Sequence, residues 1–336
     1  MRLGFLVNRL ETEKARYTTT LLAAIAQRRG HQVYRIPVGS LSCDAEARVT
    51  ANAAEVPAEA SEEAIVRRGA DQGTHRTIDV GDLDVLFLRN DPAEDVVARP
   101  WARLAGINFG RLAQQRGVIV VNDPDGLAHA INKMYLHYFP PDVRPKSIVT
   151  RSKEELLAFA ESCDEQLMVK PLHGSGGHNV FYLRLDRPEN INQIIESLLN
   201  EGHILAQEYL PAAADGDVRV FVLNGRILAH DGKAAVIRRL RPRGDVRSNI
   251  TVGAKVEAAM VTPAVTALVE AVSPRLLHDG MFLVGLDIVE DKILEINVFS
   301  PGGMWSANRL HRVDFAETVI DALEDKYATV SAPEPD

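Results

Sequence analysis

The sequence predicts an α/β protein built around a parallel sheet, and three stretches lead to that prediction. Residues 2–8 form an apolar strand pattern, residues 17–29 an amphipathic helix pattern ending at Gly30, and residues 31–36 a second strand. Residues 84–89 add an apolar run with the length of a buried strand. A strand–helix–strand unit of these proportions is the building block of a parallel sheet. The 336 residues allow two or three domains.

The composition limits the class of protein and of partner. Hydrophobic residues make up 46% of the chain, and no apolar run has the length of a membrane span. The formal charge of −8 argues against binding to nucleic acid. Residues 1–9 lack the long apolar region of a signal peptide, and Cys43 and Cys163 lack metal-site spacing. We therefore expect a cytoplasmic protein with reduced thiols, small-molecule substrates and neither nucleic-acid nor membrane partners.

The first domain is predicted to end at the polar loop 122–126. Before it, residues 45–64 show no clear period and receive no assignment, while residues 101–116 form a helix pattern and 118–121 a strand pattern. The strand 84–89 runs into Arg89, Asn90 and Asp91, which lie at its carboxyl end. Since ligands bind at the carboxyl ends of strands in open α/β sheets, we expect these residues to face a ligand crevice.

The middle of the chain carries two lysines and a glycine-rich loop. A helix over residues 127–139 would contain Lys133, and residues 146–149 form a strand pattern before a helix capped by Ser152. Lys170 lies near the end of strand 166–171, the loop HGSGG covers 173–177, and strand 179–185 follows. The glycines would let backbone N–H groups approach phosphate oxygens. A simple turn is an equally common outcome for such a sequence, and Lys170 favours the phosphate loop.

An arginine-rich segment follows the next group of predicted elements. The patterns predict a helix over 190–200, strands over 204–210 and 218–223, a hairpin turn at Asn224-Gly225, and a return strand over 226–236. Residues 238–249 then combine several arginines with proline and glycine in an otherwise acidic protein. We interpret this segment as a mobile loop that closes over phosphates. A solvated basic loop is the alternative.

Residues 282–299 contain the most informative stretch, two apolar strands around a short polar turn. A three-residue loop at 290–292 would pair Asp287 with Glu295 and put Asn297 on the same face, whereas a two-residue turn would separate the two acids. Two carboxylates and an amide on one face suit Mg²⁺. The alternative is an exposed hairpin with solvated acids, which the apolar flanks disfavour.

The end of the chain is predicted to hold a helix over 263–278 before the hairpin and a helix over 313–325 after it. Between them, residues 300–303 (SPGG) form a tight turn whose backbone amides could hold a carboxylate. Residues 329–336 look like a flexible tail. The ten histidines are scattered, and we interpret each one as structural or as a surface residue.

Together these motifs resemble bacterial glutathione synthetases of the ATP-grasp superfamily, nearly from end to end. The matching segments are 83–92 (LDVLFLRNDP), 120–122 with 132–133, 170–177 (KPLHGSGG), 206–211 (AQEYLP), 215–219 (DGDVR), 247–249 (RSN), 284–288 (VGLDI) and 295–301 (EINVFSP). The resemblance implies an ATP-grasp fold preceded by a Rossmann-like, pre-ATP-grasp domain. It further implies a substrate-binding domain over 1–122, an ATP-grasp lid over 123–203 and a catalytic subdomain over 204–328, often in a homo-oligomer.

The resemblance also implies roles for individual residues. Those expected to bind ATP are Lys133, Lys170, Gly174, Ser175, Gly176, Gly177, Gln207, Glu208, Tyr209, Leu210 and Asp217. Two Mg²⁺ ions, for which Mn²⁺ could substitute, would bind Asp287, Glu295 and Asn297. Arg219, Arg247 and Asn249 would stabilise the transferred phosphoryl group. The substrate-binding set would be Arg89, Asn90, Asp91, Arg239, Ser300, Gly302 and Gly303.

The implied reaction is ATP-dependent formation of an amide through an acyl phosphate, with γ-glutamylcysteine as the acid and glycine as the amine. The sequence departs from the family pattern at His173, where the family has an acid, at Ser175, and at residues 302–304 (GGM), where related enzymes have Thr-Cys. These departures leave a ligase for a different amine as the main alternative. A protein-modifying glutamate ligase and a non-catalytic nucleotide sensor are further alternatives.

Overall fold

Three successive sheets form the scaffold of the protein. The computed structural model describes residues 1–174, 179–187, 190–241 and 255–331, and all statements about the fold refer to these ranges. Each sheet is built almost entirely from one continuous part of the chain. The order of the sheets along the chain therefore determines which parts of the sequence can meet between them.

The N-terminal sheet is mixed: β2, β1, β6 and β7 pair in parallel, as the sequence predicted, whereas β3, β4 and β5 are antiparallel additions at one side. Its strands are β1 (Arg2–Val7), β2 (Gln32–Pro37), β3 (Leu41–Cys43), β4 (Val49–Glu55), β5 (His75–Asp79), β6 (Val85–Leu88) and β7 (Ile119–Val121). The order is β3-β4-β2-β1-β6-β7, with β5 beside β4, and β1 pairs in parallel with both β2 and β6. The helices of this part are α1 (Thr18–Arg28), α2 (Glu62–Ala70) and α3 (Ala105–Gln115).

Two local differences from the prediction concern this sheet. The unassigned segment 45–64 holds β4 and the beginning of α2, and it lacked a clear period because β4 is built mainly from small and polar residues. The predicted helix over 101–116 begins only at Ala105, since Pro100–Ala102 form a separate 3₁₀ turn.

The predicted helix over 127–139 was wrong. The structure has α4 (Pro124–His129) and, after a break, a 3₁₀ helix over Lys133–Tyr138. Asn132 separates them, because its backbone is extended and its side chain accepts a hydrogen bond from the amide of Met134 at 2.9 Å. Lys133 is therefore the first residue of a new turn and does not belong to the preceding helix.

A four-stranded antiparallel sheet follows. It comprises β8 (Ser147–Thr150), β9 (Gln166–Pro171), β10 (Phe181–Arg184) and β11 (Ile204–Glu208) in the order β10-β9-β11-β8, together with α5 (Lys153–Glu161) and α6 (Ile191–Glu201). The antiparallel pairing of β9 with β10 confirms the strand–loop–strand arrangement around the glycine-rich segment. β11 pairs with both β8 and β9, so this sheet extends to Glu208.

The C-terminal sheet contains the hairpin that the sequence singled out. Its strands are β12 (Asp217–Leu223), β13 (Arg226–Ile227), β16 (Val236–Leu240), β17 (Lys255–Ala258), β18 (Leu283–Val289) and β19 (Lys292–Asn297), and a small separate ribbon is formed by β14 (Ala229–His230) and β15 (Lys233–Ala234). The predicted single return strand over 226–236 was wrong. Asp231 and Gly232 adopt positive φ angles of 47° and 70° and form a second turn within it.

The predicted hairpin loop was wrong, whereas the pairing of its acids was right. Val289 pairs with Lys292, so the turn has only two residues, and Ile288 pairs with Ile293. After the Ile288–Ile293 pair, a β-bulge leaves Leu294 of β19 as an extra residue without a partner in β18. Asp287 therefore pairs with Glu295. The bulge thus restores the common face that the two-residue turn alone would have removed.

The C-terminal helices differ from the prediction at their ends. The helix α7 (Pro263–His278) matches the predicted bounds, while α8 (Met304–His311) was not predicted. The last helix, α9 (Phe315–Ser331), extends into the predicted tail, and residues 332–336 lie outside the described ranges. Among the described helices, none combines the length and the apolar character needed to cross a membrane.

Asn122 joins the N-terminal sheet to the C-terminal hairpin. Its side chain is fully buried, and its Nδ2 donates to the carbonyls of Val298 at 2.6 Å and Leu283 at 3.2 Å. Its Oδ1 accepts from the amides of Phe282 at 2.8 Å and Leu283 at 2.9 Å. One amide side chain therefore satisfies four backbone groups where two sheets meet.

Replacing Asn122 by Ala should destabilise the protein by roughly 2–5 kcal/mol, because two buried amides and two carbonyls would lose their partners. Urea unfolding followed by circular dichroism measures this change. Asn108→Ala, on the exposed face of α3, is the matched control and should change the free energy of unfolding little. Equal stability of the two variants would show that the Asn122 bonds contribute nothing.

Candidate functional site

A cleft lies where the three parts of the chain meet. Its volume is about 770 Å³ including the space open to solvent, and its walls come from the loop after β6, the 3₁₀ helix at Lys133, the end of β9 and the strand β19. The predicted site residues that line it are Asp91, Lys133, Gly174, Glu295, Asn297 and Ser300. These residues are separated widely in sequence, and the fold brings them together.

The predicted metal-binding residues share one face of the C-terminal hairpin. Asp287 pairs directly with Glu295, and the Nδ2 atom of Asn297 lies 3.3 Å from an Oδ atom of Asp287. Asp287 is only 2% exposed, while Glu295 and Asn297 line the cleft. Two carboxylates and one amide oxygen are a donor set that Mg²⁺ accepts, especially when substrate phosphates supply further ligands. Among the described residues, no group of three or more His, Cys, Asp or Glu offers an alternative metal site.

Two arginines neutralise Asp287 within a buried ion network. Arg219 donates to both carboxylate oxygens of Asp287, and the Nη2 atom of Arg239 lies 2.9 Å from the same carboxylate. Arg239 also donates to Asp217 at 2.6 Å and 2.8 Å. Burial alone would raise the pKa of Asp287, but Arg219 and Arg239 outweigh it and lower the pKa to about 2. Asp217 and Arg239, expected at the ribose and the substrate, therefore lie in this network.

Two lysines bring positive charge to the cleft. The Lys133 ammonium group donates to the carbonyl of Gly174 at 2.6 Å, and burial lowers its pKa although Glu295 opposes the effect. Burial likewise lowers the pKa of Lys170 to about 8, with Lys133 adding to the decrease and Glu295 and Asp287 opposing it. Desolvated ammonium groups beside a cleft that is open to solvent are well placed to bind an anion.

The end of β11 contains a buried donor without a partner. Gln207 is 2% exposed, and its Nε2 atom has no hydrogen-bond acceptor among the described residues. Its register partner Ser147 contacts His137 Nε2 at 3.1 Å, and the buried Nδ1 of His137 also lacks a partner. Buried polar atoms are ordinarily satisfied, so the unpaired Nε2 of Gln207 indicates a ligand contact at this place. Sequence analysis missed His137, since its pattern placed it in a continuous helix.

Three more residues expected to bind ATP follow Gln207 directly, and we call this segment, residues 208–210, the hinge. The carboxylate of Glu208 accepts from the amide of Lys146 at 2.8 Å, and the ring of Tyr209 lies 4.3 Å from the ring of Tyr182. Leu210 is half-buried and precedes the 3₁₀ helix Pro211–Asp215. These contacts hold the hinge at the edge of the four-stranded sheet.

Of the predicted substrate residues, Arg89 and Asn90 lie behind the cleft wall. Arg89 is 2% exposed and donates to the carbonyls of Phe299 and Pro301, each at 3.4 Å. Asn90 is buried against α3, while Asp91 lines the cleft. The turn over residues 300–303 is held from its other end by Arg219, which donates to the carbonyl of Gly302 at 3.0 Å. Gly303 begins α8 with a φ of 106°.

The start of the glycine-rich loop contacts the N-terminal domain through His173 and Arg103, a contact that the sequence did not suggest. The Nη2 atom of Arg103 lies 2.7 Å and 3.1 Å from the two ring nitrogens of His173. Burial, Arg103 and Lys133 together lower the pKa of His173, which keeps the ring neutral beside the guanidinium. Five predicted residues lie outside the described ranges: Ser175, Gly176, Gly177, Arg247 and Asn249. Most of the arginine-rich segment also lies outside them, whereas Arg238 and Arg239 belong to β16.

Family models match almost the whole chain. Residues 1–128 match the N-terminal domain of prokaryotic glutathione synthetase, and residues 132–312 match its ATP-grasp domain. The glutathione synthetase of Coxiella burnetii is 35% identical over 251 residues, which is 74% of each chain. The glutathione synthetase of Salmonella typhimurium is 31% identical over 306 residues, covering 90% of this chain and 91% of that protein.

Solved structures with a similar fold include ligases of several kinds. The crystal structure of the D-cycloserine synthetase DcsG has a TM-score of 0.63 and 16% identity, covering 97% of this chain and 99% of that one. The macrocyclase MdnC bound with its precursor peptide MdnA, from Microcystis aeruginosa, also has a TM-score of 0.63 with 11% identity, covering 96% and 99% of the two chains. At these identities the similarity establishes the ATP-grasp fold alone.

The family models and the relatives agree with the geometry of the cleft, in which Lys133, two acids and an asparagine converge from separate elements. The protein uses ATP as a co-substrate, as this family of carbon–nitrogen ligases does. The chain belongs to the prokaryotic glutathione synthetase family, with an N-terminal domain followed by an ATP-grasp domain.

Proposed function

We propose that this protein joins γ-glutamylcysteine to glycine with ATP to form glutathione, ADP and phosphate. The observation that carries the proposal is the convergence of Lys133, Glu295 and Asn297 in one cleft, within a chain of the glutathione synthetase family. Relatives named glutathione synthetase cover most of the chain. Cationic and metal-binding groups on opposite walls suit phosphoryl transfer, in which positioning and neutralisation of charge supply most of the catalysis.

The nucleotide is proposed to lie between the four-stranded sheet and the C-terminal sheet. Lys133 and Lys170 would hold its phosphates together with the loop that starts at Gly174, and Gln207 with the hinge 208–210 would bind adenine. Asp217 is proposed near the ribose. Support for this placement comes from the unpaired Nε2 of Gln207 and from the two desolvated ammonium groups.

Magnesium is proposed to bind Asp287, Glu295 and Asn297, since their oxygens share one face beside the cleft. When bound, it would neutralise phosphate charge during transfer. Around it, Arg219 and Arg239 already offset the charge of Asp287 and fix the orientation of its carboxylate. The division into three domains, a homo-oligomeric state and a cytoplasmic location stay predictions.

The proposed reaction has two steps. In the first, a carboxylate oxygen of γ-glutamylcysteine attacks the terminal phosphorus of ATP, and the bond from that phosphorus to the ADP oxygen breaks. In the second, the amine nitrogen of glycine attacks the acyl carbon, phosphate leaves with the bonding electron pair, and the nitrogen loses a proton. Arg219, with Arg247 and Asn249 from the arginine-rich segment, is proposed to stabilise the negative charge of both steps.

A different amine is the second candidate, because the residues next to the proposed acceptor site depart from the family pattern. Residues 302–304 are Gly-Gly-Met, and Gly302 has no neighbour within 4 Å of the position where a Cβ would lie. The free space beside Gly302 could accept an amine larger than glycine. The phosphoryl-transfer residues are the same in both candidates.

ADP release with ATP, Mg²⁺ and γ-glutamylcysteine, with glycine and then with each other amino acid, separates the two candidates. Release that depends on glycine, with glutathione as the product, is the expected result. Release with another amino acid only would favour the second candidate. No ADP release with any amino acid would contradict the proposed substrate.

Replacing Lys170 by Ala should lower kcat/KM for ATP by at least about 100-fold, since a charge-assisted phosphate contact would be lost in a poorly solvated site. Lys233→Ala, on the exposed β14–β15 ribbon, is the control and should retain wild-type kinetics. Because the pKa of Lys170 is about 8, the ammonium group is charged below that pH and neutral above it. The wild-type kcat/KM for ATP should therefore decrease as the pH rises through about 8. Unchanged kcat/KM in folded Lys170→Ala would remove Lys170 from the phosphate site.

Replacing Glu295 by Gln should raise the Mg²⁺ concentration for half-maximal activity by about 10-fold or more, because loss of even an outer-shell partner costs about 10–100-fold in metal affinity. Excess Mg²⁺ should restore part of the activity. Glu290→Gln, in the exposed turn of the same hairpin, should leave the Mg²⁺ dependence unchanged. An equal Mg²⁺ requirement in the Glu295 variant and wild type would argue against a metal at this face.

A further inference from the structure

The carboxyl edge of the N-terminal sheet holds two buried arginines on one face. Arg35 on β2 is 1% exposed and pairs in register with Phe5 of β1. The ring of Phe5 lies 6.0 Å from the ring of Phe87, and the guanidinium of Arg89 lies 5.3 Å from the Phe87 ring centre. Register partners in a parallel sheet point to the same side, so both guanidinium groups lie beneath the loop that connects β1 to α1.

Several hydrogen-bond donors of these arginines and of the adjacent end of α1 have no acceptor in the described parts of the chain. Arg35 donates through Nη2 to the carbonyl of Ile65, but its Nε and Nη1 have no acceptor among the described residues. The hydroxyl of Thr18, in the first turn of α1, is buried and also lacks a partner there, while the buried hydroxyl of Thr20 interacts with Glu13. Tyr17 contributes no side-chain cap to this helix. Since buried donors are rarely left unpaired, this set indicates a ligand with acceptor oxygens.

Glu13, in the β1–α1 loop, supplies a carboxylate to this cluster. Arg35 and Arg89 favour its charged form, as does Thr20, whereas Glu94 disfavours it. Burial is the largest effect and raises the pKa of Glu13 to about 7. Its Oε2 atom has no hydrogen-bond donor among the described residues. Two arginines thus face one weak acid, and the cluster carries excess positive charge at neutral pH.

The cluster lies between a second cleft and the turn of the catalytic region. That cleft, with a volume of about 1060 Å³, is lined by the β1–α1 loop and by Gly69 of α2. A Cβ at Gly69 would lie 1.8 Å from Arg35 Nη2, so Arg35 packs directly against the backbone of a glycine that lines the cleft. On the other side, Arg89 donates to the carbonyls of Phe299 and Pro301, beside the turn that Arg219 also holds.

We propose that Arg35 and Arg89, with the hydroxyls of Thr18 and Thr20, form a binding site for a second carboxylate of the acid substrate, and that Glu13 fills this site when the substrate is absent. This inference rests on the proposed function. For γ-glutamylcysteine the bound group would be the α-carboxylate of the γ-glutamyl unit, which is not phosphorylated. The substrate carboxylate would provide the acceptors that Arg35 and Thr18 lack, and it would replace Glu13 as the partner of Thr20.

The proposal predicts a specific pH dependence of binding. Below about pH 7 Glu13 is neutral and leaves both guanidinium groups available, whereas above it the ionised Glu13 competes with the substrate carboxylate. The pKa of about 10 for each arginine, lowered by burial, keeps both charged throughout this range. If the ionised Glu13 competes fully with the substrate carboxylate, the dissociation constant of the substrate is about tenfold larger at about pH 8 than at about pH 6.

The test measures dissociation constants by isothermal titration calorimetry for γ-glutamylcysteine and for glutarate, a dicarboxylate probe, at about pH 6 and about pH 8 without ATP. We expect the tenfold loss at the higher pH in the wild type and no pH dependence in Glu13→Gln. Arg35→Met should bind both ligands at least about tenfold more weakly at the lower pH, since it removes charge-assisted hydrogen bonds. The exposed variants Glu63→Gln and Arg67→Met are matched controls on α2 and should behave as the wild type.

Two results would overturn the inference: unchanged affinity in Arg35→Met, or a pH dependence that persists in Glu13→Gln. Circular dichroism establishes that each variant is folded, and Glu13→Gln decides the question if Arg35→Met does not fold. The proposed function is tested separately by ADP release. If ADP is not released but Arg35→Met binds glutarate more weakly than the wild type, the carboxylate site is retained and glutathione synthesis is rejected. If ADP is released normally but Arg35→Met binds glutarate as tightly as the wild type, glutathione synthesis is retained and the carboxylate site is rejected.

Discussion

The buried ion network around Asp287 is the interaction on which the rest of the site depends. It places two carboxylates, Asp217 and Asp287, against two guanidinium groups, Arg219 and Arg239, in a region that excludes water. Removing one member would leave the others charged and unpaired, which costs far more than the intact network contributes. The network also fixes the strands: Arg219 and Arg239 lie on β12 and β16, and Asp287 on β18. The face that holds Glu295 and Asn297 is therefore rigid before any ligand binds.

Around this network, three parts of the chain converge through a few polar side chains. Asn122 satisfies the backbone of β18 and of the segment after β19, while Arg89 and Arg219 hold the same turn from opposite ends. Gly285 makes this close approach possible, since a Cβ there would lie 2.9 Å from Pro301 and 3.2 Å from the Arg219 side chain. The catalytic face, the acceptor turn and the N-terminal sheet are consequently one connected unit, and a substrate bound at one of them can be positioned relative to the others.

The departures from the family pattern include His173 and Ser175 in the glycine-rich segment and residues 302–304, whereas the residues proposed to bind magnesium are not among them. His173 keeps a neutral ring beside Arg103, where an acid would form a salt bridge. Residues 302–304 leave open space beside the turn, and Arg35 with Glu13 forms a charged cluster beneath the first loop. Such a distribution is expected when one reaction is adapted to different acids and amines.

The sequence by itself determined the parallel strands β1, β2 and β6, the hairpin around the glycine-rich loop, and α7, because apolar periodicity and turn residues act over short distances. The resemblance to a known family, and not local pattern, indicated which residues would gather at the cleft. The sequence could not determine the helix break at Asn132, the second turn at Asp231-Gly232, or the bulge at Leu294. The tertiary structure alone decided that Asp287 is neutralised by Arg219 and Arg239, and that Glu13 faces Arg35 and Arg89. Those pairings join residues far apart in the chain, and their energies depend on burial and on strand register, which no local pattern specifies.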